Sequence, residues 1–334
     1  MKFHLPAEWH KQQAVLITFP DEHTIWKESL ADIEPFYVTF AQAILAYQDL
    51  IIVCRNPEKQ QYIEQLVGTA HTHSLRFFHA EFNDIWIRDY GPISLLKGEK
   101  TKWLDFGFNA WGGKYAGDLD DQVTKELFDE HLLPIDQYAR QDFILEGGAI
   151  ETDGLGTLLI TSCVFTKTRN ANLSAQQVKQ SLNMERVITI EHGYLLGDDT
   201  DGHIDTLVRF CDAKTLAYSS CDNQDDPHYA PLKAMEAQLR ELRDLAGNPY
   251  KLIPLPIPAA KYDGERRLPA SYANFLIING AVLCPTYNDA QDDLILKRLG
   301  SAFPQHKIVP IPSLPLIQYN GALHCASMQI PSAK

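Results

Sequence analysis

Short apolar runs alternate with longer amphipathic patterns along this 334-residue chain, and that alternation limits the fold more than any other feature. The runs are rich in Val, Ile, Leu and Phe and mostly end at turn-forming residues, which predicts β-strands. They cover residues 14–19, 50–54, 157–160, 187–190, 207–210, 215–219, 275–278 and 281–284. Apolar residues spaced three to four apart predict helices at 34–47, 57–67, 121–132, 175–182, 231–245 and 290–299.

Two predicted hairpins break a strict strand–helix alternation. One joins 207–210 to 215–219, and the other joins 275–278 to 281–284 across Asn279-Gly280, a dipeptide typical of a two-residue β-turn. Hairpins between helices argue against a plain doubly wound parallel sheet. No long linker or low-complexity segment divides the chain, so we predict an α/β fold in a single domain over residues 1–334.

The charge and the cysteines exclude several classes of protein. A net charge of -13 repels nucleic acid and anionic membranes. We find no secretory signal and no apolar stretch of membrane-spanning length, so we expect a cytoplasmic location. The six cysteines form no C-x-x-C pair, which argues against a zinc ribbon or a thioredoxin-type site and favours reduced, buried thiols.

The first of four polar clusters lies at residues 83–92. On an extended strand, Trp86 and Arg88 would share one face and Asp89 would lie on the other. An aspartate at a strand end can point into a cleft, and a tryptophan can stack on a planar cation. From the spacing alone, an edge strand with a surface Arg–Asp pair is the favoured interpretation.

The second cluster is Glu146-Gly147-Gly148. Two glycines after an acidic residue let the backbone approach a ligand closely. A glycine turn with an unrelated glutamate explains the same residues equally well. The cluster lacks the Lys-Ser/Thr ending of a phosphate-binding loop.

The third cluster, at residues 197–206, contains His203 and Asp205. Two residues apart on an extended strand, they would share a face and place an imidazole beside a carboxylate, as general acid–base catalysis requires. A metal site formed with Asp201 is the weaker alternative, because no cysteine pair or second spaced histidine supports it.

The fourth cluster surrounds Cys325, which follows a glycine-containing turn near the carboxyl end. Taken singly, most cysteines are inert core residues. His324 is adjacent in sequence and would point away from Cys325 on a strand, so His203 is the better catalytic partner.

Together the clusters supply one thiol, one imidazole and several acids. A cysteine protease would not need several acids around its substrate, and a metallohydrolase would not need the thiol. Attack on a guanidinium uses the whole set: a thiolate, a proton shuttle, and carboxylates that hold the cation.

In this order along the chain, the motifs at 86–92, 146–148, 202–205 and 323–325 resemble the agmatine deiminases of the bacterial peptidylarginine-deiminase-like family. The stretches 6–9, 105–113 and 285–289 are similar to that family as well. The resemblance covers nearly the whole chain. It implies a pentein fold, a propeller-like α/β arrangement of ββαβ units around a pseudo-fivefold axis, acting as one catalytic domain.

The resemblance also implies residue roles. Cys325 would attack the guanidinium carbon, and His203 would protonate the departing ammonia and then activate water. Asp89 and Asp205 would grip the guanidinium nitrogens, and Glu146 would orient the histidine. Aromatic side chains would line the pocket, namely Trp86 and Trp111. No metal or organic cofactor is implied.

The implied reaction converts agmatine and water to N-carbamoylputrescine and ammonia, a step toward putrescine. Agmatine ends in an amine, so an acid is expected at the far end, and Asp199, flanked by Asp198 and Asp201, is a candidate. Many family members read Gly-Gly-Gly-Asn-Ile-His-Cys where residues 320–325 read Asn-Gly-Ala-Leu-His-Cys. This difference leaves free or peptidyl arginine open as the substrate. A non-catalytic guanidine- or polyamine-binding protein is a second alternative. A homo-oligomer is also open.

Overall fold

The computed structural model describes residues 2–334. The strands in this part are β1 (Gln12–Thr18), β2 (Leu50–Cys54), β3 (Leu75–His79), β4 (Ile93–Lys97), β5 (Lys100–Gly107), β6 (Gln137–Ile144), β7 (Ile150–Thr152), β8 (Thr157–Thr161), β9 (Arg186–Ile190), β10 (Val208–Asp212), β11 (Thr215–Ser220), β12 (Lys251–Pro256), β13 (Tyr262–Asp263), β14 (Arg266–Arg267), β15 (Leu276–Ile278), β16 (Ala281–Thr286), β17 (Lys307–Pro312) and β18 (Ser327–Pro331). The helices are α1 (Leu30–Leu45), α2 (Pro57–Val67), α3 (Ile87–Tyr90), α4 (Ala110–Gly113), α5 (Asp120–Asp129), α6 (Ala175–Ser181), α7 (Tyr229–Glu241), α8 (Asp292–Ala302) and α9 (Leu314–Ile317). Short 3₁₀ turns cover Lys27–Ser29, Gly147–Ala149, Ser162–Phe165 and Ile204–Thr206.

Four three-stranded sheets repeat one topology: β4-β5-β6, β7-β8-β9, β10-β11-β12 and β15-β16-β17. In each sheet the first two strands form an antiparallel hairpin, and the third strand lies parallel to the second. A parallel neighbour needs a crossover connection, which α5, α6, α7 and α8 provide in turn. Each unit is therefore a ββαβ unit, and the fold is mixed α/β.

The two ends of the chain meet in a four-stranded sheet of order β18-β1-β2-β3. β18 runs antiparallel to β1, with Val15 opposite Gln329, and β2 runs parallel to β1. The strand directions in β18-β1-β2 repeat those of the four three-stranded sheets, although β18 and β1 come from opposite ends of the chain. It also brings the turn that carries Cys325, just before β18, beside the first strand of the chain.

The predicted elements largely match the structure. The Asn279-Gly280 hairpin joins β15 to β16, and Asn56 caps α2 by accepting a hydrogen bond from the Lys59 N–H, with Pro57 in the first turn. All six cysteines lie within the described residues, and each is buried and unpaired. Within residues 2–334, no helix is long and apolar enough to cross a membrane.

Two local predictions were wrong. Residues 83–90 were expected to form an extended strand, but Ile87–Tyr90 is a helical turn in which all four side chains are buried. The Gly91 N–H donates to the Ile87 carbonyl and closes the turn, and Arg88 reaches the carbonyl of His324 instead of solvent. His203 and Asp205 were expected on a strand, yet His203 precedes the 3₁₀ turn Ile204–Thr206.

Candidate active site

Cys325 lies in a turn that Asn274 holds in place. The Asn274 side-chain oxygen accepts hydrogen bonds from the backbone N–H groups of His324 (3.1 Å) and Cys325 (3.2 Å). Its amide nitrogen lies 3.2 Å from the Cys325 sulfur. The thiol is therefore fixed in position, and only 5% of Cys325 is exposed.

The surroundings of the thiol disfavour the thiolate when no cation is bound. Burial raises the pKa of Cys325 well above its ordinary value, and the negative charges of Asp205 and Asp89 raise it further. The Cys325 sulfur lies 3.6 Å from Asp205 Oδ2. A cation placed beside these carboxylates would reverse the electrostatic contribution and favour the thiolate.

His203 is fully buried between two carboxylates. Its Nε2 lies 3.3 Å from Glu146 Oε2, and its Nδ1 lies 3.6 Å from Asp89 Oδ1. Burial opposes the protonated ring, but the charges of Asp89, Glu146 and Asp205 outweigh it and raise the pKa of His203 to about 9. The ring is therefore protonated at neutral pH and can serve as a proton donor.

Asp89 is positioned by two donors from distant parts of the chain. Its Oδ1 accepts a hydrogen bond from the Gly148 N–H at 2.9 Å, and its Oδ2 accepts one from Trp111 Nε1 at 2.9 Å. Burial raises the pKa of Asp89 to about 6, even though the charge on His203 acts in the opposite direction. Asp89 is therefore ionised at neutral pH and loses its charge in mild acid.

Gly148 keeps open a space that Asp89, His203 and Asp205 surround. A Cβ atom at this position would lie 2.6 Å from His203 Nδ1, 2.8 Å from Asp89 Oδ1 and 3.1 Å from Asp205 Oδ2. Within residues 2–334, neither His203 Nδ1 nor Asp205 Oδ1 has a hydrogen-bond partner in the protein. The backbone of the Glu146-Gly147-Gly148 motif thus leaves room for a small group with hydrogen-bond donors.

Arg169 anchors Glu146 behind the histidine. Its Nε lies 2.8 Å from both oxygens of Glu146, and its other nitrogens bind Asp201 and the carbonyl of Thr200. Asp201 also binds Lys114, so it does not join His203 and Asp205 as the metal alternative required. In the described part of the chain, no group of three or more His, Cys, Asp or Glu residues is arranged to hold a metal ion.

A cleft of about 560 Å³ leads outward from the two tryptophans. Its lining is aromatic and polar: Ile25, Ser29, Asp84, Trp86, Trp111, Tyr115, Asp199, Asp263, Arg266, Gln318, Tyr319 and Asn320. Asp199 Oδ2 accepts hydrogen bonds from the Tyr115 hydroxyl at 2.9 Å and from Asn320 at 2.8 Å. Asp198 does not line this cleft and accepts hydrogen bonds from Thr200 and the Gly202 N–H instead.

The structure therefore brings together the five residues proposed for catalysis, namely Asp89, Glu146, His203, Asp205 and Cys325. It places the three proposed substrate-binding residues, Trp86, Trp111 and Asp199, along one cleft. No role was predicted from the sequence for Asn274, Arg169 or Glu8. Glu8 lies in the Pro6–Trp9 stretch, which is similar to the family but carried no predicted function. Asn274 and Arg169 lie in none of the four polar clusters.

Comparison with known proteins identifies the family of the chain. The family model for Porphyromonas-type peptidyl-arginine deiminase matches residues 4–331. A solved structure named "Putative Arginine Deiminase from Porphyromonas gingivalis" is 44% identical, with a TM-score of 0.93 and 99% of each chain covered. A C. jejuni agmatine deiminase with substrate bound, a Cys-to-Ser variant, is 35% identical, with a TM-score of 0.91 over 98% of this chain and 96% of that chain.

A curated relative from Vibrio parahaemolyticus, named "Putative agmatine deiminase", is 33% identical over 99% of this chain and 97% of its own length. The chain belongs to the Porphyromonas-type peptidyl-arginine deiminase family. This result confirms the resemblance found from the motifs. The mixed α/β fold likewise matches solved structures of the pentein superfamily.

Proposed function

We propose that the chain is an agmatine deiminase, a hydrolase that converts agmatine to N-carbamoylputrescine and ammonia on the way to putrescine. One observation carries the proposal: Asp89, His203 and Asp205 surround the space at Gly148, and the Cys325 thiol lies against Asp205. A guanidinium is planar and permanently charged, so burying it requires carboxylates that accept its N–H groups. Relatives and solved structures named as agmatine deiminases support the choice of substrate.

The geometry suggests how the first half of the reaction proceeds. Asp89 and Asp205 accept hydrogen bonds from the guanidinium nitrogens, and the bound cation favours the Cys325 thiolate. The sulfur attacks the guanidinium carbon to form a C–S bond. His203 donates a proton to one nitrogen, the C–N bond breaks, and ammonia leaves an amidino-thioether on the enzyme.

The second half uses the same histidine in the opposite direction. Neutral His203 takes a proton from a water molecule, whose oxygen attacks the thioether carbon. The C–S bond breaks, Cys325 leaves as the thiolate, and the hydroxyl oxygen gives up its remaining proton to solvent as the carbonyl of the product forms. Glu146, held by Arg169, keeps the ring oriented through both steps.

We propose that the outer cleft selects the substrate through Asp199. The substrate amine is a cation without a carboxylate, and Asp199 presents a carboxylate held by Tyr115 and Asn320. Trp86 and Trp111 would enclose the connecting methylene groups.

Arginine is the second candidate substrate, with the same chemistry at Cys325. Arg266 lines the cleft and binds the side-chain oxygen of Asn320 at 2.6 Å, so it could meet a substrate carboxylate. The relative from Porphyromonas gingivalis named as an arginine deiminase also favours this candidate. A non-catalytic binding protein is disfavoured, because the thiol, the histidine and the three acids are all present and adjacent.

The experiment that tests the function is ammonia release from agmatine, arginine and a peptidyl-arginine, measured for the wild type and for Cys325→Ala. We expect agmatine to be the preferred substrate and Cys325→Ala to lose at least about 1,000-fold in rate. Preference for arginine would retain the mechanism and replace the substrate. Activity that survives the substitution would falsify the covalent mechanism.

We also propose that the four ββαβ units and the β18-β1-β2 strands at the joined chain ends are related by a pseudo-fivefold axis and act as one catalytic domain. The repeated pairing supports this arrangement: four sheets combine an antiparallel hairpin with a parallel third strand, and β18-β1-β2 has the same strand directions with β18 and β1 from opposite ends of the chain. Superposition of each unit on the next should give rotations about one common axis. A cytoplasmic location remains our expectation, which the six unpaired thiols favour.

A further inference from the structure

We propose that His324 is a positioning residue for Asp205: it binds one oxygen of that carboxylate and so fixes the orientation in which the carboxylate faces the substrate cation. His324 was not predicted to be the catalytic partner of Cys325, because on a strand its side chain would point away from the thiol. The structure has a turn there instead, and the imidazole points at Asp205. The proposal rests on the proposed deiminase function and assigns a residue to the same site.

The ring of His324 bridges two buried carboxylates. Its Nδ1 lies 2.7 Å from Asp205 Oδ2, and its Nε2 lies 2.9 Å from Glu8 Oε2. An ionised carboxylate can only accept hydrogen bonds, so each ring nitrogen donates to the carboxylate that it faces. Only 2% of His324 is exposed.

The pKa values of Asp205 and Glu8 are consistent with two hydrogen bonds donated by the His324 ring. Burial acts to raise the pKa of Asp205, but the hydrogen bond and the charge of His324 outweigh it and hold that pKa below its ordinary value. For Glu8, burial is outweighed by the charges of Arg209 and His324, and its pKa is also lowered. Both groups are thus acceptors at neutral pH.

Hydrogen bonds hold the Glu8 carboxylate in place, and that carboxylate in turn orients the His324 ring. Glu8 Oε1 accepts a hydrogen bond from the Ile277 N–H at 2.7 Å, and Arg209 binds Glu8 Oε2 while it also binds Glu151 at 2.9 Å. The charged and titratable groups around the ring, from every element packed near it, are Glu8, Arg88, Glu151, Asp205, Arg209 and Cys325. The ring therefore has one orientation available to it.

This orientation fixes how the Asp205 carboxylate faces the substrate. Because His324 occupies Oδ2, the carboxylate cannot rotate freely, and Oδ1 is left without a protein partner. Burying an unpaired carboxylate oxygen is costly until a donor reaches it. A guanidinium N–H supplies that donor, so the loss of His324 should weaken recognition of the cation more than it weakens the fold.

Two substitutions of His324 distinguish a role in positioning Asp205 from a role in filling the space that the ring occupies. The amide nitrogen of His324→Asn falls near the position of Nδ1 and can still donate to Asp205. The amide nitrogen of His324→Gln falls near Nε2 and can donate only to Glu8. We expect kcat/KM for agmatine to fall about tenfold in His324→Asn and about 100-fold in His324→Gln, because the second loses the bond to Asp205. Equal losses in the two variants would overturn the proposal.

A second readout does not depend on turnover. Cys325 is alkylated with 2-chloroacetamidine, a planar cation, and with neutral 2-chloroacetamide, and the ratio of the two rates measures how well the carboxylates hold a cation. The ratio should fall more in His324→Gln than in His324→Asn, and a ratio that both variants leave unchanged contradicts the proposal. If both variants unfold, as thermal melts would reveal, nitrogen NMR of histidine-labelled wild type decides: Nδ1 of His324 must carry a proton, and an unprotonated Nδ1 overturns the inference.

The two proposals can fail separately. If the wild type releases ammonia from neither agmatine nor arginine but the alkylation ratio still follows the expected order, the proposed function falls and the role of His324 stands.

Discussion

The buried catalytic cluster and the cleft that borders it at Trp111 are built differently, and we call them the inner end and the outer end of the site. At the inner end, His203 and Asp205 are each 0% exposed, and Glu146 accepts hydrogen bonds from both His203 and Arg169. At the outer end, Asp199 is also held by two donors, but one of them, Tyr115, is 46% exposed. The inner end is thus a closed network of charges, and the outer end is open to solvent.

The difference separates reaction type from substrate choice. In a buried site each charge depends on its partners, because an unpaired buried charge costs several kcal/mol. At an exposed site water screens the same interactions, and a single ion pair contributes about 1 kcal/mol or less. We therefore expect substitutions at the inner end to abolish chemistry and substitutions at the outer end to change which substrate is used.

Among inner-end substitutions that leave the catalytic side chains unchanged, Gly148→Ala should produce the largest effect. The added methyl group would lie 2.6 Å from His203 Nδ1 and 2.8 Å from Asp89 Oδ1, so it would displace these groups or fill the cation site. A displacement of about 1 Å costs on the order of 100-fold in rate, so kcat/KM should fall by about that factor with little change in melting temperature. Gly300→Ala is the matched control, since its new Cβ meets nothing closer than 3.8 Å. Full activity in Gly148→Ala would show that the site is looser than the structure implies.

The site residues that lie in local sequence motifs could be predicted, and those that are placed only by tertiary packing could not. Cys325, His203 and Asp89 lie in short motifs, so each could be recognised from its sequence neighbours. Asn274 contacts Cys325 across 51 residues, and no local pattern marks it. Its role depends on tertiary packing alone.

The same distinction applies to the fold. The hairpin at Asn279-Gly280 was predictable because a local turn encodes it. The helical turn Ile87–Tyr90 was not, because its four side chains are buried by elements distant in sequence. The role of His324 was missed because a strand was assumed there, and its partners Asp205 and Glu8 are 119 and 316 residues away in sequence.

The pH dependence should sharpen the comparison, because catalysis at the inner end depends on two groups whose pKa values lie on either side of neutrality. Asp89 must be ionised to bind the cation, and its pKa is about 6, so kcat/KM should fall as the pH drops through about 6. His203 must be protonated to release ammonia, and its pKa is about 9, so kcat/KM should fall as the pH rises through about 9. Each limb should approach about tenfold per pH unit. In initial rates at subsaturating agmatine, a missing acidic limb would contradict the role of Asp89.

Arg169→Lys tests whether the support of the inner end matters as much as its catalytic residues. Arg169 binds both oxygens of Glu146 through one nitrogen and reaches Asp201 and Thr200 through the others, whereas a lysine offers a single point charge. We expect kcat to fall about tenfold with a smaller change in KM, because the histidine loses orientation while the cation site keeps Asp89 and Asp205. Arg186→Lys, on a strand outside the cleft, is the control. A change confined to KM would place Arg169 in substrate binding instead.

Asp199→Asn should give the smallest effect and shows most directly what the outer end does. The substitution keeps the shape of the side chain and removes one negative charge, while Tyr115 and Asn320 can still bind the remaining oxygen. Because solvent screens this position, the loss of one ion pair predicts a rise of roughly fivefold in KM for agmatine and little change in kcat. Arginine should be affected less, or even favoured, because its carboxylate no longer meets a like charge. If the KM values for the two substrates instead rise together, the amine is bound elsewhere, and Asp84 is the next carboxylate to test in the same cleft.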